Sequence, residues 1–195
     1  MTLSLRQRRR LETACDIQKA TLELAVLHGL DNITTEEISA AAGISARTFF
    51  NYYSNKETAA IGLPPGFREE DKAALRAGTA SLAVDLKQFL DQHVNTLASD
   101  ESALRMVRKI VHANDKARGI LDGFLNKECE ELTDCLCDRV NNRQVAAALA
   151  NSATNATARA IYLWEQEEGL SLGASLDIIW EGLIEAARLL AASSD

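Results

Sequence analysis

Apolar residues recur at helical spacing along most of the chain. Between about Leu5 and His28 the positions Leu11, Ile17, Ala20, Leu24 and Leu27 predict a first long helix, stopped by Gly29. Thr35 is placed to cap a second helix that opens on Glu36-Glu37, acids that suit the positive end of the helix dipole. That helix runs only to about Ala42, where Gly43 ends it. Ile44 then plugs the angle, Ser45 caps a third short helix over 46–53, and Asn55 caps a fourth from Lys56 to about Gly62. Gly62-Leu63-Pro64-Pro65-Gly66-Phe67 is the strongest break in the chain. Residues 68–80 are polar and read as a linker or a short helix. Longer helical segments occupy about 81–99, 101–113, 115–141, 143–168 and 172–193, with no internal repeat.

The turn between the second and third helices has a specific chemistry. Gly43 supplies a positive φ, Ile44 fills the corner, and Ser45 caps the third helix. Two short helices joined in this way form a helix-turn-helix pattern, with Ile38, Ala41 and Phe49 expected beneath it as a small core.

Composition agrees with an all-α fold of about nine helices. The two prolines are adjacent, so 63 residues before them and 130 after are free of the strongest helix breaker. A 47% hydrophobic content excludes wholesale disorder, and no apolar run approaches the roughly 20 residues of a membrane span. Arginines stand where a secretory leader needs an apolar stretch, so a cytoplasmic location is expected. The division expected is a DNA-binding domain at 1–62, a linker or short helix at 63–80, and a helical domain at 81–195.

Charge divides unevenly. Residues 1–60 carry seven Lys/Arg and seven Asp/Glu, whereas 61–195 carry 14 and 21, so the excess of seven negative charges lies in the second part. Nucleic-acid contact is therefore expected only near the N-terminus. Among the cysteines Cys15, Cys129, Cys135 and Cys137, the last two point about 200° apart on a helix. No metal site is expected, and reduced packed thiols are the plain reading, with thiol sensing as the alternative.

The stretch Ile17 to Glu57 resembles the TetR family of transcriptional regulators. The residues that carry the likeness are Ile17, Ala20 and Leu24; His28-Gly29-Leu30; Thr34-Thr35-Glu36-Glu37-Ile38; Ala42-Gly43-Ile44-Ser45; and Thr48-Phe49-Phe50-Asn51-Tyr52-Tyr53 with Lys56-Glu57. Many family members have tyrosine where this chain has Phe50, and phenylalanine where it has Tyr53. A hydroxyl often available for a phosphate is therefore missing at Phe50. The resemblance implies that Tyr52 touches the DNA backbone and that Tyr53 packs under the domain. It fades after residue 62, where it implies only a helical domain that dimerises and receives a small molecule.

In a helix-turn-helix protein the second helix enters the major groove with its N-terminal residues toward base edges. Here these are Ser45, Ala46, Arg47 and Thr48, with Asn51 one turn on. Arg47 is the expected reader, since a guanidinium can bond guanine O6 and N7 together; a phosphate contact is its alternative role. Thr34 and Thr35 head the preceding helix and offer a phosphate site, and Lys56 is expected to grip the same strand. Arg6, Arg8, Arg9 and Arg10 read as an arm along the phosphates or in the minor groove, or else as a solvated tail. The partner expected is a double-stranded, palindromic operator bound by a homodimer.

The last helix carries a wide apolar face, with Leu172, Leu176, Ile179, Leu183, Ala186 and Leu190 beside Trp180, Ile184, Ala187 and Ala191. With Leu149, Ala153, Ala156, Ala160, Leu163 and Trp164 before it, dimerisation through the last two helices is expected. A small organic effector is expected among the helices at 81–141, with Phe89, His93, Met106, His112, Phe124 and Cys129 as lining residues. No cofactor is implied. Common catalytic motifs are absent, and Ala25, Leu90 and Lys109 stand where a Glu-x-x-His metal site needs glutamate. The expected function is a repressor released by its effector; the alternative is a helical adaptor that binds protein and not DNA.

Overall fold

The computed structural model describes residues 4–192. All regular elements among them are helical: α1 Leu5–His28, α2 Thr35–Ala41, α3 Ala46–Phe50, α4 Lys56–Ile61, α5 Glu69–Ala77, α6 Leu82–Leu97, α7 Glu101–Ala113, α8 Asp115–Cys137, α9 Arg143–Gln166 and α10 Leu172–Ala192. Short 3₁₀ turns lie at Leu30–Asn32 and Ala98–Asp100. The all-α expectation holds, and the polar stretch before residue 80 contains a helix, α5.

Cα packing divides the chain into two compact units, 1–64 with 100–124, and 65–99 with 125–195. The expected division at 62 and 81 groups α7 and the start of α8 differently. The reason is packing: Ile110, Val111 and Ala117 are buried in one core with Ile17, Leu22, Ile38, Phe49 and Ile61. Asn114 reinforces that grouping. Its amide donates to Asp31 at 2.9 Å, and its carbonyl oxygen accepts from the Ala117 N–H at 2.8 Å.

In the first unit the buried face of α1 is Ala14, Ile17, Thr21, Leu22 and Ala25. Leu11 and Leu27, expected inward, are exposed. The polar member of the buried face, Thr21, is satisfied within the helix by donating to the Ile17 carbonyl at 2.7 Å. At its far end α4 meets α1 through Gln18, whose amide donates to the Ile61 carbonyl at 2.9 Å. Gly62 comes next with φ +68°, and a Cβ there would lie 2.2 Å from the Gln18 side chain.

The second unit buries Leu75, Leu86, Leu90, Val94, Leu132, Leu136, Trp164, Leu172 and Leu176. α9 contributes a stripe of small residues, Ala146, Ala150, Ala153, Ala156 and Ala160, which permits α10 to pack close against it. Asp85 organises the turn before α6. It accepts from the Thr79 and Ala80 N–H groups and from the Arg139 guanidinium at 2.9 Å. Burial opposes the charge on Asp85, but these donors hold its pKa below the ordinary value.

Candidate nucleic-acid interface

The corner between α2 and α3 is built as its residues require. Gly43 has φ +67°, and no atom stands within 4 Å of where its Cβ would be, so backbone conformation rather than crowding selects glycine. Ile44 is partly buried against the core. Ser45 is the N-cap of α3, accepting from the Thr48 N–H at 3.1 Å. Beneath, Ile38 and Phe49 are fully buried, whereas Ala41 is exposed and Ser39 takes the inward place. Ser39 is accommodated by donating to the Thr35 carbonyl at 2.6 Å.

α3 is thereby fixed by its inner face and open on its outer one. Arg47, Phe50 and Asn51 are exposed; Ala46 and Thr48 are half-buried. The Thr48 hydroxyl is 2.8 Å from that of Ser45, so these two side chains serve the cap. Asn51 stands at the C-cap of α3. Tyr52 is half-buried and receives the Arg10 guanidinium 5.5 Å from its ring centroid, a cation–π contact. Tyr53 is buried, as expected, and burial pushes its phenol up to about 12.

Three expected phosphate contacts have partners inside the domain. The N-cap of α2 is Thr34 rather than Thr35. Thr34 and Glu37 form a reciprocal box in which the Glu37 N–H donates to the Thr34 hydroxyl at 3.2 Å. The Glu37 carboxylate in turn accepts the Thr34 N–H at 2.8 Å, which holds its pKa below the ordinary value. Thr35 bonds Glu36 at 3.1 Å. These two hydroxyls thus face carboxylates. Lys56 donates to the Asp31 and Ile33 carbonyls at 2.9 and 3.0 Å, closing the 3₁₀ turn onto α4.

The four N-terminal arginines lie on α1 rather than in an extended arm. Ser4 and Gln7 make a reciprocal cap that starts the helix before them. At about 100° per residue, Arg6, Arg9 and Arg10 share one side and Arg8 points the other way. No acid occupies the first turn. Arg6 and Arg8, in the first turn, oppose the macrodipole, which costs a little helix stability and makes an anion favourable there.

The expected effector residues separate between the units. Met106 is half-buried against the core beneath the helix-turn-helix, and His112 is exposed beside Arg108 at 3.2 Å. Phe124, half-buried, ends the first unit. Phe89, His93 and Cys129 belong to the second. There Phe67 packs on both Phe89 and His93, with ring centroids 4.7 Å apart in each pair. Phe89 lines a cleft of about 90 Å³ with Asp71, Leu75, Thr79 and Gln92. A wider groove of about 400 Å³ runs along Val84, Lys87, Asp91, Trp180 and Ile184. His93 and Cys129 line neither. The second unit also holds two buried polar atoms with no hydrogen-bond partner, His93 Nδ1 and Glu128 Oε1. Burial lowers the His93 pKa to about 4 and raises that of Glu128 to about 7, with Glu131 adding to the latter. Sequence reasoning missed Glu128, because nothing in the pattern marks one acid of Glu128, Glu130 and Glu131 as inward.

The model of the family described as bacterial regulatory proteins, tetR family, matches residues 17–58. Over these residues the chain is similar to the TetR family of transcriptional regulators. Its match begins on the buried stripe of α1 and ends in α4, spanning the corner just described. Over 49 residues the chain is 41% identical to MftR of Mycobacterium tuberculosis, a candidate mycofactocin biosynthesis transcriptional regulator; that match spans 25% of each chain. Solved structures are similar over much more of the length. A candidate TetR-family regulator from Syntrophomonas wolfei aligns with TM-score 0.65 at 14% identity, covering 90% of this chain and 95% of that one. FadR of Bacillus subtilis, solved with stearoyl-CoA, aligns with TM-score 0.52 at 20% identity over 87% and 96%. At such identities the likeness is one of fold. The matched family and these neighbours are regulators of transcription, not enzymes.

Among the described residues no helix is long and apolar enough to cross a membrane, and no cluster of His, Cys, Asp and Glu is arranged to hold a metal ion. The cysteines are free, with Cys135 buried and its thiol pushed up by that burial.

Proposed function

We propose that this protein is a homodimeric repressor of transcription that binds a palindromic operator and is released from it by a small organic effector. The observation that carries the reading is an exposed Arg47 on a helix anchored by the buried Phe49 and capped by Ser45. Such a helix presents an arginine from a fixed backbone position, from which a guanidinium can make the two-point contact that recognises guanine. Arg6, Arg9 and Arg10 supply backbone attraction, and Tyr52, held by Arg10, is the aromatic phosphate contact. Lys56 and the threonines at the head of α2 have the supporting task of holding the corner rigid.

Pairing of two chains through α9 and α10 gives the two recognition helices a palindrome demands. Support comes from apolar surface left outside: Tyr162 and Ile178 are each 52% exposed, and Ala186 and Ala187 are open. The effector acts in the second unit, where Phe67 fills the space between Phe89 and His93. The ligand prefers a state with wrongly spaced reading helices and lowers operator occupancy by that preference.

Selection of duplexes from a random pool, followed by an electrophoretic shift with the selected operator, tests the reading. A two-fold symmetric site, a dimer by sedimentation, and a shift weakened by Arg47→Ala are expected. Stearoyl-CoA, the molecule bound by the Bacillus subtilis FadR, opens the effector panel. Enrichment of no duplex, with the folded protein retained on a partner protein, establishes the adaptor reading instead.

A further inference from the structure

Phe50 is the one exposed aromatic residue of the first unit among the described residues, with 56% of its surface open. It stands on α3 about 60° around the helix from Arg47, so the two side chains share the outer face. Its ring is not loose. Phe49, fully buried, meets it edge-on with centroids 5.3 Å apart and planes at 85°. A large apolar surface held in one orientation at the tip of a solvent-exposed helix forgoes hydrophobic free energy for as long as it remains in water. Phenylalanine has no hydroxyl for a phosphate, so its offer to DNA is apolar contact alone.

The major groove presents one apolar feature on its base edges, the C5-methyl group of thymine. Ala46 and Thr48, the other residues on α3 suited to it, are half-buried, and Thr48 has its hydroxyl committed to Ser45. We propose that Phe50 is a specificity-determining residue that reads a thymine methyl group next to the base read by Arg47. The proposal rests on α3 being the reading helix and adds a second letter to each half-site, one chosen by hydrophobic contact rather than by hydrogen bonds.

The experiment uses the full-length protein and duplexes selected from a random pool by the wild type, by Phe50→Ala and by Phe50→Tyr. The wild type and Phe50→Tyr, which keeps the ring, enrich a thymine at a fixed step from the guanine of each half-site, and Phe50→Ala does not. Replacing that thymine by deoxyuridine removes only the methyl group. It weakens wild-type binding about fourfold for each half-site, the factor for one buried carbon, and leaves Phe50→Ala unchanged. The deoxyuridine duplex needs no variant, so a folding defect in Phe50→Ala cannot imitate the result. Equal affinity of the wild type for thymine and deoxyuridine duplexes overturns the assignment of Phe50 while leaving the repressor reading intact. Enrichment of no sequence by the wild type overturns both.

Discussion

The Tyr53 hydroxyl donates to the Ala14 carbonyl at 3.1 Å, joining the segment after α3 to the middle of α1 across 39 positions of sequence. The Ala14 carbonyl is already part of the helix, so the bond is an addition to α1, whereas for the buried phenol it is the partner that makes burial tolerable. Tyr53→Phe is expected to cost about 1 kcal/mol and to lower the midpoint of thermal unfolding by about 2–4 °C. An unchanged midpoint by calorimetry would mean that the hydroxyl contributes nothing net.

Arg47→Ala removes an exposed side chain and should leave thermal unfolding where it was. Operator affinity is expected to fall by about 1–3 kcal/mol, with preference at one base position relaxed. Weakening of operator and random DNA by the same factor would assign Arg47 to a phosphate.

Lys56 behaves differently from Arg47 because both of its hydrogen bonds go to carbonyls of its own domain. Lys56→Met is expected to destabilise the fold by about 1 kcal/mol, read by urea unfolding. If the variant unfolds like the wild type and only DNA affinity drops, the lysine is a phosphate ligand and the carbonyl contacts are incidental.

Thr34→Ala removes one half of the box at the start of α2, and loss of such a cap costs about 1 kcal/mol. Thr35→Ala, one residue on, should cost much less, since its hydroxyl meets only the neighbouring Glu36. Equal losses would place the cap at the wrong threonine.

Glu128 gives a pH dependence whose sign is set by its raised pKa. Below the ordinary carboxylate value of 4.5 the group is neutral in both folded and unfolded chains. Between 4.5 and about 7 the folded chain holds the proton and the unfolded chain does not, so stability drains away as pH rises through that window. Glu128→Gln stays neutral throughout. At pH 8 it should be more stable than the wild type by on the order of 2 kcal/mol, and near pH 4.5 the difference should vanish. Urea titrations at four pH values decide it; a constant difference across the series rejects the buried carboxylate as the source.

The features legible in the sequence were local. Gly43, Ile44 and Ser45 define the corner within three residues, and the cap at Asn55 is satisfied by the Thr58 N–H, 2.8 Å away. The side of α1 that faces inward was harder to see. Thr21 hides its hydroxyl inside the helix and sits on the buried face, while Leu11 and Leu27, more hydrophobic, point outward. Periodicity weighs residue type and cannot register a polar group satisfied by its own backbone. The assignment of α7 was out of reach for another reason, since it depends on Ile110 and Val111 meeting side chains some 90 positions earlier in the chain. The sequence marks Phe50 only by the hydroxyl it lacks, because exposure is a property of the fold.

The amide of Gln18 lies where any side chain at position 62 would have to go, and the backbone at 62 is one that side-chain-bearing residues avoid. Two independent constraints therefore meet at residue 62, one from its own backbone and one from a side chain 44 positions earlier. Shortening residue 18 relieves the crowding but not the dihedral, since φ +68° with ψ −139° lies outside the left-handed region that asparagine and aspartate tolerate, so a library randomised at both sites should recover glycine at 62 whatever stands at 18.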